Sequence, residues 1–171
     1  MKFFKPKFWD KKSISFPSII LFPIGVIIKL ISFLNKHITK THKFSIPIIC
    51  VGNIYLGGTG KTPLCIEIFT ILKKLNKNPA FIRKKYDSFQ DEVDLQKQVG
   101  SVFQRKKRVD ALKDSIQNGF NVGILDDGYQ DFAIKKNLSI VCFNEKQWIG
   151  NGLTIPAGPL RENLAALKRA N

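Results

Sequence analysis

The spacing of apolar and polar positions changes several times along the chain, and each change predicts a different element. From Ile14 to Leu34 apolar residues dominate, broken by Pro17, Pro23, Gly25 and Lys29, nearly the ~20 needed to cross a bilayer. Pro47-Ile48-Ile49-Cys50-Val51-Gly52 is a short apolar run that ends in glycine, the pattern of a buried strand. Leu64, Ile68, Ile71, Leu72 and Leu75 then recur at helical spacing, with Glu67, Lys73 and Lys74 on the other face and Pro63 in the first turn. Asn76-Lys77-Asn78-Pro79 stops that helix, and Ala80-Phe81-Ile82 predicts a second strand parallel to the first. Asp91-Glu92 opens a short helical piece through Gln98, Ser101-Val102-Phe103 reads as a small strand, and Val109, Leu112 and Ile116 predict a helix ending near Asn118-Gly119. Apolar runs at Asn121–Asp126 and Leu138–Phe143 add two buried strands, and Leu164, Leu167 and Lys168 begin a last helix.

Strands alternating with helices predict an α/β fold with a largely parallel sheet flanked by helices. Between the first strand and its helix stands Gly57-Gly58-Thr59-Gly60-Lys61-Thr62-Pro63. Glycines let backbone N–H groups turn inward at a helix N-terminus, where the dipole favours anions, while a lysine and a hydroxyl serve phosphate and Mg²⁺. The sheet is therefore P-loop NTPase-like, with a nucleoside triphosphate as guest. The strict pattern places glycine at the position of Tyr55, so the match is to a variant loop in which Tyr55, Leu56, Gly57, Gly58, Thr59 and Gly60 wrap the phosphates.

Asn121-Val122-Gly123-Ile124-Leu125-Asp126-Asp127-Gly128 delivers two carboxylates from an apolar run into a glycine turn. In phosphate-loop enzymes an acid so placed holds Mg²⁺ directly or through water, which makes Thr62, Asp126 and Asp127 the candidate metal residues. Turn-forming aspartates are the plainer alternative. Gln130 and Asp131 follow at once. Arg83-Lys84-Lys85-Tyr86 leaves the end of the second strand, the side on which ligands of open α/β sheets bind. In the closing segment, Gly150-Asn151-Gly152 through Pro156-Ala157-Gly158-Pro159-Leu160-Arg161-Glu162, turn residues present Arg161 as a phosphate clamp. Arg83 and Arg161 are thus the candidate substrate contacts.

Charge adds a partner. The formal net charge is +15, and nine of the 28 basic residues are lysines before Ser45, facing the single acid Asp10. With Phe3, Phe4, Phe8 and Trp9 among lysines from Lys2 to Lys12, residues 1–43 read as a basic, hydrophobic membrane anchor and residues 44–171 as the nucleotide-binding domain. Lysines flank both ends of the apolar run, so a spanning helix and one lying in the cytoplasmic leaflet both fit, and a core helix packed on the domain is the third reading. No small-residue cleavage site follows it, so a removed signal peptide is not expected. Gln104 to Arg108 reads as a solvated basic face. No finger, basic zipper or aromatic RNA-binding signature points to nucleic acid, and no protein partner is evident. Cys50, Cys65 and Cys142 sit inside apolar runs without metal-like spacing and read as buried hydrophobes, and His37 and His42 lie among lysines with no ligand cluster.

Taken together, Pro6-Lys7-Phe8-Trp9 and the apolar segment, Val51-Gly52-Asn53 with the glycine loop, Asp126-Asp127-Gly128-Tyr129-Gln130, and the closing segment resemble the tetraacyldisaccharide 4'-kinases, the lipid A 4'-kinases of Gram-negative bacteria. The resemblance implies an ATP- and Mg²⁺-dependent kinase at the cytoplasmic face of the inner membrane, phosphorylating the 4'-hydroxyl of tetraacyldisaccharide 1-phosphate to give lipid IVA. It implies Lys61 on the β- and γ-phosphates, Asp91 of the Asp91-Glu92 pair as base, and Asp127 and Gln130 in the active site. The other readings are a different phosphate-loop NTPase and a catalytically impaired nucleotide-binding fragment. Three departures from the family pattern stand out: a shortened, glycine-free stretch between Arg83 and Asp91, Asp131 where the family has His, and the absence of a second lobe.

Overall fold

The computed structural model describes residues 5–11, 13–86 and 90–171. Lys2, Phe3, Phe4 and Lys12 of the expected anchor, and residues 87–89 of the shortened stretch, lie outside the described residues. Two compact units emerge: residues 1–39, 53–59 and 143–169 make one, and residues 40–52, 60–142 and 170–171 the other. This grouping differs from a division at residues 43 and 44, because the closing segment and residues 53–59 go with the N-terminal helix, while residues 40–43 go with the sheet.

The second unit holds the sheet. Its strands are β1 (Ile48–Gly52), β2 (Pro79–Lys84), β3 (Val102–Arg105), β4 (Val122–Asp126) and β5 (Leu138–Val141), all parallel, in the order β3-β2-β4-β1-β5. Each expected strand is present within a residue or two of its apolar run. β4 enters between β1 and β2, with Val51 opposite Asp126 on one side and Ile82 opposite Leu125 on the other. That register brings the acidic end of β4 between the end of β1 and Arg83 of β2.

The helices of this unit are α2 (Lys61–Lys74), α3 (Gln90–Val99) and α4 (Arg108–Gln117), numbered after α1 (Phe16–Ile38) of the first unit. Thr62, Cys65 and Phe69 form the buried face of α2, three and four residues apart as helical packing requires. Phe69 stacks on Phe81 of β2 at 4.7 Å between ring centroids, in a cluster with Val51, Cys65 and Ile124. Burial pushes the Cys50 thiol up to about 11 and the Cys65 thiol higher still, so both are neutral core groups, as the sequence suggested. Gly52 is required by proximity: a Cβ built on it would lie 2.5 Å from the Tyr129 Cβ.

In the first unit, α1 is 23 residues long, about 35 Å, with a mean hydropathy of 2.2 over its most apolar window, sufficient by length and composition to cross a membrane. Among the described residues only Ser18 and Gly25 are buried on it. Ser18 accepts a hydrogen bond from the Asn151 side chain at 3.1 Å, and Gly25 packs on Thr154. The other face exposes Phe16, Ile20, Ile27, Leu30 and Phe33, each by more than half. Trp9 departs from the expected interfacial position. It is 2% exposed, and its indole N–H donates to the Pro156 carbonyl at 3.0 Å. The expected last helix is a 3-10 turn, Leu164–Arg169, braced by two 2.8 Å bonds from Arg169 to the Glu162 carboxylate.

Candidate active site

The phosphate-type loop is built differently in its two parts. Residues 53–59 form an arch pinned from inside by Asn53, which is fully buried and whose Nδ2 donates to the Gly57 carbonyl at 3.1 Å and the Thr59 hydroxyl at 3.0 Å. From outside, the Leu56 N–H donates to the Pro159 carbonyl at 2.8 Å, and the Arg161 N–H to the Ile54 carbonyl at 2.7 Å. Leu56 therefore does not offer its N–H to a phosphate, which shortens the backbone cradle expected over Tyr55 to Gly60. The Tyr55 ring is buried as well, and its hydroxyl donates to Asp10 at 2.8 Å with the Lys5 ammonium 4.8 Å above the ring.

The second unit contributes the start of α2. Gly60 is its N-cap at φ 77°, a left-handed backbone that glycine adopts without strain, and no atom lies within 4 Å of where a Cβ would stand. Among the described residues no side chain caps this helix, and an uncapped helix N-terminus, with its first N–H groups and the positive end of the dipole, favours an anion. Lys61 begins the helix with its ammonium 3.8 Å from an Asp127 carboxylate oxygen. Buried Thr62 donates to Asp126 Oδ2 at 3.3 Å.

Asp126 is the hub. Its Oδ2 also takes a hydrogen bond from Gln96 Nε2 at 2.9 Å and an ion pair from Arg83 Nη1 at 2.9 Å. Its Oδ1 is buried and has no hydrogen-bond partner among the described residues. Burial pushes this carboxyl above the usual carboxylate range, with the Arg83 guanidinium pulling the other way. Arg83, expected to contact substrate, is itself buried and spans two acids, reaching Glu92 Oε2 at 2.6 Å with its second nitrogen. It is a tie between β2, α3 and β4. Asp127 follows at φ 54°, its N–H donating to the Val51 carbonyl at 2.9 Å.

A family model described as tetraacyldisaccharide-1-P 4'-kinase matches residues 17–98 and 90–171. The chain belongs to this family. A tetraacyldisaccharide 4'-kinase of Pelagibacter ubique is 52% identical over 168 residues, which are 98% of this chain and 53% of that protein. One from Allorhizobium ampelinum is 29% identical, covering 96% of this chain and 52% of its own length. The chain spans about half the length of the curated relatives it matches. Among solved structures, LpxK from Aquifex aeolicus in complex with ATP superimposes with a TM-score of 0.74 at 24% identity, over 90% of this chain and 56% of that one, a likeness that carries the fold.

The donors at the β4 end fit the Mg²⁺ that such kinases use. Among the described residues no three His, Cys, Asp or Glu side chains gather into a metal cage. Mg²⁺ takes few protein ligands, keeps its waters and shares substrate phosphates, and a buried orphan carboxylate oxygen beside a threonine hydroxyl suits that habit.

Of the other expected residues, Asp91 is exposed and Glu92 half-buried in the first turn of α3, and Gln130 is half-buried in the turn after β4. Arg161 belongs to the other unit. Two organising residues, Gln96 and Arg108, escaped the sequence reading as site residues, and Asn53 entered it only as part of a motif, without a role. Arg108 stood in the run expected to be a solvated basic face, yet it is 7% exposed. Its Nη2 donates to the carbonyls of Asp126 at 3.3 Å and Asp127 at 2.8 Å, and its Nη1 pairs with Asp131 at 3.4 Å. Asp131 thus serves as counter-ion to the arginine that holds the Asp-Asp turn. Only Asn53 left a signal, a polar residue directly after a strand and before glycines.

Proposed function

We propose that this chain carries the nucleotide and metal machinery of an ATP-dependent kinase that phosphorylates the 4'-hydroxyl of tetraacyldisaccharide 1-phosphate, forming lipid IVA. The observation that carries the reading is the meeting of Lys61 and Thr62 with Asp126 and Asp127, where a buried carboxylate oxygen has no partner among the described residues. Lys61 and the free N–H groups of the first turn of α2 hold the β- and γ-phosphates. Thr62, Asp126 and Asp127 hold Mg²⁺, which when bound neutralises charge on the phosphate oxygens. Asp91 takes the proton of the acceptor hydroxyl as its oxygen bonds to the γ-phosphorus and the bond to ADP breaks. Glu92, fixed by Arg83, orients that helix start, and Gln130 adds to the polar lining.

The acceptor is a lipid, and α1 suits it. Its exposed apolar face seats the protein in the inner membrane at the cytoplasmic side, with the flanking lysines near lipid phosphate. The test uses the full-length kinase with radiolabelled ATP and the tetraacyl disaccharide 1-phosphate in micelles. Label transferred to the lipid in the presence of Mg²⁺ is the expected result. ATP hydrolysis without transfer would place the protein among other phosphate-loop NTPases, and neither product would defeat the reading.

A further inference from the structure

Just after β5 the Cys142 N–H donates to the Gly52 carbonyl at 2.8 Å, so the loop that follows starts beside the end of β1, on the side away from β4. That loop is tightly built. The Asn144 side-chain oxygen accepts from the N–H groups of Lys146 at 3.0 Å and Gln147 at 3.3 Å, and the Trp148 N–H donates to the Asn144 carbonyl at 2.7 Å. The turn holds Trp148 at φ 46°, a left-handed backbone that a bulky residue adopts only under strain. Its indole is 58% exposed and leans on the Phe143 ring, with 5.0 Å between ring centroids and 36° between planes. A large aromatic surface is thus held in water by a fixed turn. Gln147, one residue earlier, lies against the phosphate-type arch: a Cβ built on Gly57 would stand 4.0 Å from the Gln147 Oε1. That oxygen is buried and has no hydrogen-bond partner among the described residues. A buried acceptor left unpaired is costly, and the last torsion of a glutamine is soft enough to bring it to an incoming donor.

These residues and Gly57 all belong to the first unit. Chain connectivity ties them to the phosphate end, because Gly57 is three residues before Gly60 and so within about 11 Å of it. A purine base suits both features. Its π face stacks on an open aromatic ring, and the 6-amino edge of adenine supplies the donor that a glutamine amide reads. A membrane headgroup layer also accepts an exposed tryptophan, but it gives no account of an unpaired amide oxygen beside the glycines of the arch. We infer that Trp148, backed by Phe143, stacks on the adenine of the bound nucleotide and that Gln147 accepts from its amino group. This rests on the kinase reading and adds the residues that tell ATP from other triphosphates. Guanine, with a carbonyl in place of the amino group, would set oxygen against oxygen at Gln147.

The test titrates the full-length kinase in neutral detergent micelles with the Mg²⁺ salts of ATP, GTP and inorganic tripolyphosphate. The wild type should bind ATP more tightly than GTP, and both more tightly than tripolyphosphate. Trp148→Ala should weaken ATP about tenfold and leave tripolyphosphate where it was, and Trp148→Tyr should restore ATP. Gln147→Leu should bring ATP down to the affinity of GTP, a drop of about tenfold. Equal weakening of ATP and tripolyphosphate in Trp148→Ala would mark a merely structural loop and overturn the assignment. Unchanged ATP affinity in both variants, or a wild type that binds tripolyphosphate as tightly as ATP, would overturn it as well. A Trp148→Ala defect confined to binding of phosphatidylglycerol vesicles would also overturn it, giving the ring to the bilayer. If the wild type binds none of the three ligands, the kinase reading fails first and this inference falls with it.

Discussion

Two acidic pairs lie in the same unit and share one arginine, yet they are built in opposite ways. Asp126-Asp127 ends a central strand, with Asp126 2% exposed and bonded by Arg83, Gln96 and Thr62, and with Arg108 gripping the carbonyls of the turn. Asp91-Glu92 opens a ten-residue helix, with Asp91 exposed and only Glu92 tied, to Arg83. Under the proposed kinase function the difference separates two chemical tasks. Holding a metal against phosphates needs fixed oxygens shielded from water, whereas accepting a proton from an incoming hydroxyl needs a carboxylate open to the acceptor. Arg83 joins the tasks by spanning from the buried pair to the open one.

The comparison breaks most visibly at Asp126. Asp126→Ala leaves the Arg83 guanidinium, the Gln96 amide and the Thr62 hydroxyl without the acceptor they share and should cost about 3–5 kcal/mol of stability, read by urea denaturation. A loss below about 1 kcal/mol would mean that the cluster is not the tie described. A milder probe is pH. Burial raises the folded-state affinity of Asp126 for its proton above that of the unfolded chain, so its contribution to stability is fully present below about pH 3.9 and is lost as pH rises through the raised value. Acidifying from neutral should therefore stabilise the wild type relative to Asp126→Asn while weakening Mg²⁺ binding, since the metal needs the ionised carboxylate. Parallel pH profiles for the two proteins would remove the assigned cause. The smallest effect on stability belongs to the open pair. Asp91→Ala should change it by no more than about 0.5 kcal/mol, yet lower kcat by about 10²–10⁴-fold with ATP affinity intact. A variant that unfolds readily, or that transfers phosphate at the wild-type rate, would dissolve the contrast.

Sequence patterning located the strands because each is a short apolar run with a breaker beside it, and it located Lys61, Thr62, Asp126 and Asp127 because their local context is distinctive. Pairing decided the rest. Whether Arg83 faces substrate or Asp126 depends on β4 lying between β1 and β2, a relation between residues some forty apart along the chain. Arg108 looked like one more solvated cation in a run of them, and only the fold turns it under the Asp-Asp turn. Trp9 is the mirror case: an aromatic among lysines resembles a headgroup anchor until Pro156 and Asn151, far along the chain, close over it.

The central claim is that the buried, unpartnered oxygen of Asp126 exists for a metal-bound nucleotide. The most direct measurement is calorimetric titration of the full-length protein with ATP, with Mg²⁺ and with a chelator, in the wild type and in Asp126→Asn. The wild type should bind ATP at least about tenfold more tightly with Mg²⁺, and the variant should bind it equally in both conditions. A variant that keeps the full Mg²⁺ dependence would contradict the account.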